Sequence, residues 1–101
     1  MKKKIAILGS TGSIGKTLLN IISKDKKKFK ISLLTANRNY KLILDQAKKF
    51  NVKNIIITNK KYFELAKSKN KSKKLNIYND FENLEKILQK KIDYVMSSIV
   101  G

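Results

Sequence analysis

The chain has 101 residues, 24 of them Lys or Arg against 7 Asp or Glu, for a formal net charge of +17. That length allows one small domain with a modest core. The absence of Cys and His excludes disulfides, thiolate metal sites and thiol catalysis, and removes the commonest general base and zinc ligand.

Lys4 to Leu8 is a short apolar run that ends at Gly9 and reads as a buried strand. A tight loop, Gly9-Ser-Thr-Gly-Ser-Ile-Gly15, follows it. Ile14, Leu18, Ile21 and Ile22 then recur at helical spacing, which predicts a helix to about Lys24. After the charged turn 25–28, Phe29 to Ala36 reads as a second strand whose apolar run Ile31 to Leu34 contains one Ser. Asn39 is placed to cap a second helix with Ile43, Leu44, Ala47 and Phe50 on its buried stripe. Asn54 to Thr58, rich in β-branched residues, is a third strand.

Lys60 to Lys69 predicts a third helix with Phe63, Leu65 and Ala66 inward, followed by a solvated polar loop to Lys74. Leu75 to Tyr78 is a short extra strand. Asp80 is placed to cap a fourth helix with Phe81, Leu84, Ile87 and Leu88 on one face. Ile92 to Met96 is a last strand, and Tyr40, Tyr62, Tyr78 and Tyr94 are expected at the edges of the core. Alternating strands and helices predict an α/β fold, a Rossmann-like doubly wound parallel sheet with the last strand beside the first. A strand at 92–96 would leave a bare sheet edge, so residues 1–101 read as the front of a longer protein with the sheet incomplete at its C-terminal side.

The loop after the first strand carries the chemistry. Gly9, Gly12 and Gly15 form G-x-x-G-x-x-G, a variant of the dinucleotide fingerprint. In that pattern one glycine makes the turn, one lets the backbone approach a diphosphate, and one lets helix and strand pack closely. The helix then presents free N–H groups and its positive dipole end to the phosphates, with Ser10, Thr11 and Ser13 as added hydroxyl donors. Gly15-Lys16-Thr17 also matches the end of a P-loop, which would make the chain a phosphotransferase. That template requires glycine at position 10, where Ser10 stands, and a strand ending in a magnesium-holding Asp, which is absent.

The segment Thr35-Ala-Asn-Arg-Asn39 closes the second strand. NAD binders place an acid there for the ribose 2′-OH, whereas an Arg accommodates the 2′-phosphate of NADP. Arg38 is the single arginine of the chain, and its planar guanidinium suits phosphate, so the position favours NADP. No acid falls at the C-terminal end of a predicted strand; no catalytic residue and no metal ligand is assigned.

The basic balance admits a third reading, a nucleic-acid-binding module. Lys, Asn and Ile together make up nearly half of the chain and share A/T-rich codons. Base bias accounts for that composition more readily than a nucleic-acid face, and no specific nucleic-acid partner is expected. The apolar run after Met1-Lys-Lys-Lys4 is too short for a secretory leader, and none reaches the length of a bilayer. A cytoplasmic setting without membrane attachment is expected.

Three segments, Ile5-Ala-Ile-Leu-Gly-Ser-Thr-Gly-Ser-Ile-Gly15, Leu34-Thr-Ala-Asn-Arg-Asn39 and Ser98-Ile-Val-Gly101, resemble the N-terminal NADPH-binding domain of 1-deoxy-D-xylulose 5-phosphate reductoisomerases. Members convert 1-deoxy-D-xylulose 5-phosphate to 2-C-methyl-D-erythritol 4-phosphate in the non-mevalonate isoprenoid pathway, using NADPH and Mg²⁺ or Mn²⁺. The resemblance implies that Thr11, Gly12, Ser13 and Ile14 contact the cofactor phosphates and nearby groups. It implies likewise that Asn37, Arg38 and Asn39 hold the adenosine 2′-phosphate end. Many relatives have Gly in place of Asn37 and Ala in place of Ser97 and Ser98. The metal ligands, the phosphosugar site and the lid of such an enzyme, a homodimer when complete, would all lie beyond Gly101, in domains this stretch lacks.

Overall fold

Five strands form one parallel sheet in the order β4-β3-β2-β1-β5. The elements are β1 (Lys3–Leu8), α1 (Ser13–Ser23), β2 (Phe29–Ala36), α2 (Tyr40–Phe50), β3 (Asn54–Ile57), α3 (Lys60–Lys69), β4 (Asn76–Tyr78) and β5 (Tyr94–Ser97). This computed structural model describes residues 2–71, 73–82, 86 and 92–97. The body of the expected fourth helix, with Leu84, Ile87 and Leu88, and the Ser98–Gly101 segment lie outside the described residues.

From β1 to β4 each strand is added on the same side of the one before. Right-handed crossovers therefore put α1, α2 and α3 on the same face. One core cluster joins Leu19 and Ile22 of α1, Ile43 and Ala47 of α2 and Ala66 of α3 to Ile5, Ile7, Ile55 and Ile57 of the sheet. Burying each of these Leu and Ile side chains stabilises the fold by about 1.5–3 kcal/mol. The opposite face carries a smaller cluster of Ala6, Leu33 and Ile56, with Leu8, Tyr78 and Ile92 partly buried against it. The chain reaches β5 by returning across the sheet to the far side of β1, so the order of strands reverses there. Such a reversal opens a crevice at the C-terminal ends of the strands, where ligands of these sheets bind.

Three details depart from the expected pattern. Strand alternation would send Ile31 and Leu34 to opposite faces, yet both join the helix-side cluster. A register shift explains this: Ile5 pairs with Ile31 and Ala6 with Leu33, so Ser32 is the extra residue of a bulge. In α1 the buried positions are Gly15, Leu19 and Ile22, whereas Ile14 and Ile21 are more than half exposed. The stripe is rotated by one residue because close approach at Gly15 sets the helix on the sheet. Tyr40 is buried and stacks on Tyr62 with centroids 6.0 Å apart, and Tyr78 is half-buried, but Tyr94 is exposed on the outer strand β5.

Asp93 precedes β5 and extends its pairing with β1. Its carboxylate accepts from the Lys4 N–H at 2.7 Å, and its own N–H donates to the Lys4 carbonyl at 2.8 Å. That contact sits at the N-terminal end of the sheet, away from the crevice. Asp80 accepts from the Glu82 N–H at 3.1 Å in a turn, with Phe81 exposed rather than on a buried face. No helix of the described residues is long and apolar enough to cross a membrane.

Candidate cofactor site

The Gly9–Gly15 loop is held from beneath by the three polar residues that are buried among those described: Ser10, Thr35 and Gln46. The Gly9 N–H donates to Thr35 Oγ1 at 2.9 Å and to the Thr35 carbonyl at 3.1 Å. The Ser10 N–H donates to the same carbonyl at 2.9 Å. Ser10 Oγ donates to Gln46 Oε1 at 2.8 Å, and Gln46 Nε2 returns a bond to the Ser10 carbonyl at 2.9 Å. No buried side-chain polar atom among the described residues lacks a partner. A fully satisfied buried network of this kind fixes one geometry, because any partial alternative strands a polar group in a dry environment.

The three glycines have separate physical reasons. Gly9 has φ 80°, a turn conformation in which a side chain would be strained. A Cβ on Gly15 would lie 2.6 Å from Ser10 Cα and closer still to the Gly9 carbonyl oxygen, so only glycine lets α1 seat on the loop. Gly12 has neither constraint. Its φ is −76°, and a Cβ there would meet only the Gly9 carbonyl oxygen, at an ordinary 3.6 Å. It is the N-cap of α1, a position where Ser, Thr, Asp or Asn normally caps, and no side chain caps this helix. The first-turn N–H groups therefore face outward beneath an open surface, the arrangement that receives phosphate oxygens.

Thr11 is half-buried, and Gly12, Ser13 and Ile14 are exposed at the mouth of this loop. Ser10 is different: expected as a hydroxyl donor to phosphate, it is fully buried and committed to Gln46. The same fact removes the P-loop reading, since residue 10 turns inward instead of wrapping a phosphate, and Lys16 lines a groove between α1 and α2 with Asn20 and Gln46.

The second group sits at the end of the neighbouring strand. Asn37, Arg38 and Asn39 are all exposed after β2, which pairs with β1. Asn37 ties this loop to the next one: its carbonyl accepts from the Asn59 N–H at 3.0 Å and its Oδ1 from Thr58 Oγ1 at 2.8 Å. Asn39 caps α2 as expected, its Oδ1 accepting from the Leu42 N–H at 3.3 Å. Arg38 lines a shallow cavity of 540 Å³ with Lys41, Lys61 and Tyr62, and no acid is among its walls. The structure thus brings Thr11–Ile14 and Asn37–Asn39 to the C-terminal ends of adjacent strands, at the strand-order reversal. Another cavity, of 360 Å³, is lined by Lys4, Lys30, Asn54 and Asn76 at the opposite ends of the strands, away from the glycine loop.

Sequence reasoning missed Thr35 and Gln46. Gln46 was detectable, because it falls among Ile43, Ala47 and Phe50 on the apolar side of α2, where an uncharged amide implies a buried partner. Among the described residues no group of three or more His, Cys, Asp or Glu is placed to hold a metal ion.

Known proteins match along the whole chain. The family model described as 1-deoxy-D-xylulose 5-phosphate reductoisomerase matches residues 5–101. The reductoisomerase of Pelagibacter ubique is 52% identical over 98% of the chain, which covers 26% of that protein. That of Phocaeicola vulgatus is 36% identical over 100% of the chain, covering 27% of its length. The solved structure of the Zymomonas mobilis reductoisomerase in complex with NADPH superposes with a TM-score of 0.88 at 28% identity, over 100% of this chain and 27% of that one. A DOX-P reductoisomerase in complex with NADPH, fosmidomycin and magnesium gives 0.84 at 30% identity, over 98% of this chain and 25% of that one. The chain spans about a quarter of the length of these relatives. With the family model matched from β1 to the last residue and the same fold over the length of the chain, the chain belongs to the 1-deoxy-D-xylulose 5-phosphate reductoisomerase family.

Proposed function

We propose that residues 1–101 are the NADPH-binding part of a reductoisomerase that converts 1-deoxy-D-xylulose 5-phosphate to 2-C-methyl-D-erythritol 4-phosphate. The observation that carries this reading is Gly12. The fold needs glycine at 9 and 15 for conformation and space, but nothing among the described residues needs it at 12. A ligand backbone-close to an uncapped helix start accounts for it. In this reading the N–H groups of Thr11, Ser13 and Ile14 hold the diphosphate, with the Thr11 and Ser13 hydroxyls as further donors. The Gly12 N–H closes the turn on the Gly9 carbonyl at 3.2 Å. The Arg38 guanidinium takes the adenosine 2′-phosphate, and Asn37 and Asn39 hold the loop in shape while offering their amides.

NADPH supplies hydride chemistry when bound; this chain's share is to bind it, orient it and distinguish it from NADH. No residue here is assigned a catalytic or metal-binding role. Mg²⁺ or Mn²⁺, the phosphosugar and the groups that hold them belong to the rest of a complete enzyme, which we read as a cytoplasmic homodimer. A specific nucleic-acid partner is not part of the proposal. Exposed lysines occur on α1, α2 and α3 and in the 24–28 and 69–74 stretches, so the charge is spread over both ends of the sheet.

A fluorescence titration tests the reading. NADPH is expected to bind more tightly than NADH, and Arg38→Asp to remove most of that preference. Equal affinity for the two cofactors would overturn the role of Arg38, and binding of neither would overturn the proposal as a whole.

A further inference from the structure

We propose that Lys61, at the start of α3, joins Arg38 and Lys41 as a cation for the ribose 2′-phosphate and helps set the preference for NADP over NAD. This rests on the reading of residues 37–39 as the 2′-phosphate loop. The geometry comes from an element that no dinucleotide motif covers. Asn37 accepts from Thr58 Oγ1 and from the Asn59 N–H, so the loop before α3 is fastened to the loop that carries Arg38. Asn59 then caps α3, its Oδ1 accepting from the Tyr62 N–H at 3.4 Å. Two residues of polar contact thereby fix where the first turn of α3 lies.

That turn brings Lys61 into the cavity lined by Arg38, Asn39, Tyr40, Lys41 and Tyr62. Beneath it, Tyr40 and Tyr62 stack at 28° between planes, giving a firm aromatic floor. The Lys61 ammonium sits 5.6 Å from the centre of the Tyr62 ring, which holds it at the cavity wall. A phosphate monoester carries a charge of about −1.5 to −2 near neutral pH, more than one guanidinium offsets. A wall with three cations, Arg38 before α2, Lys41 on α2 and Lys61 on α3, and no acid matches that charge. The lysines outside this cavity contribute a diffuse field, which acts on any anion alike. Lys61, like Lys41, differs in facing one phosphate position, and it comes from the neighbouring helix.

The test uses the intact protein and two probes that differ only in the phosphate concerned, adenosine 2′,5′-bisphosphate and 5′-AMP, measured by calorimetry. Lys61→Gln is expected to weaken the bisphosphate by about fivefold, the upper range for an exposed ion pair, and to leave 5′-AMP unchanged. Lys61→Arg should retain the preference. Lys27→Gln, an exposed lysine in the turn after α1, should lower neither more than slightly. Equal losses in the Lys61→Gln and Lys27→Gln variants would overturn the proposal in favour of a diffuse field. A wild-type preference for the bisphosphate that Lys61→Gln leaves intact would overturn it while sparing Arg38. A wild-type protein with no preference at all would overturn both.

Discussion

The loops after β1 and β2 lie side by side at the C-terminal end of the sheet and are built on opposite principles. The first is made of backbone. Its shape comes from a positive φ at Gly9, a close approach at Gly15 and a dry network of Ser10, Thr35 and Gln46 underneath. The second is made of side chains. Asn37, Arg38 and Asn39 are exposed, fastened by surface hydrogen bonds, and Arg38 reaches into an open cavity. A diphosphate looks the same in every dinucleotide, so a rigid backbone cradle suits it. The 2′ position is where dinucleotides differ, and side chains can be exchanged there without disturbing the fold.

The comparison breaks most visibly at Gly15. Alanine normally stabilises a helix interior by about 1 kcal/mol over glycine. At this position the overlap with Gly9 and Ser10 should reverse that sign and cost about 3 kcal/mol. Thermal unfolding of Gly15→Ala should show a midpoint lower by roughly 10–20 °C; an unchanged midpoint would mean that α1 can slide off the loop.

Next in size is the buried latch. Gln46→Leu leaves the Ser10 hydroxyl and carbonyl short of partners and should cost about 2 kcal/mol in urea unfolding. Adding Ser10→Ala should recover part of the loss, giving a coupling of about 1 kcal/mol between the two positions. Strict additivity would show that the two side chains do not act as one unit.

Arg38→Asp probes the other loop. Stability should stay within about 0.5 kcal/mol, as for surface substitutions generally, while the NADPH-over-NADH preference falls by about tenfold, the loss of one charge-assisted hydrogen bond. Cofactor titration beside an unfolding curve separates the two effects. A large loss of stability would place Arg38 with the scaffold instead of the ligand.

A small stability effect is also expected at Gly12, and it sharpens the contrast within the first loop. Gly12→Ala meets no steric conflict and should cost only about 0.5–1 kcal/mol, the penalty of alanine at an N-cap. NADPH binding should nevertheless weaken, because the added methyl group stands where the diphosphate approaches. If binding is untouched, Gly12 has no ligand role and the reading of this loop fails.

What the sequence determined by itself is the local layer. Apolar runs and helical spacing placed β2 and α3 at their observed bounds, Asn39 declared itself as a cap, and Gly9 and Gly15 announced a turn and a close contact. These features depend on neighbours a few residues away, so residue type and spacing carry them. Tertiary structure decided the rest. The bulge at Ser32 changed which face receives Ile31, and the seating of Gly15 rotated the buried stripe of α1 by one residue, from Ile14 and Leu18 to Gly15 and Leu19. Ser10 was turned from a surface donor into a buried partner of Gln46, 36 residues away, and Lys61 was carried to the cavity of Arg38 by hydrogen bonds between two loops. A side chain's partner at that separation is set by how strands stack in register and how helices land on them, and no window of sequence contains that information.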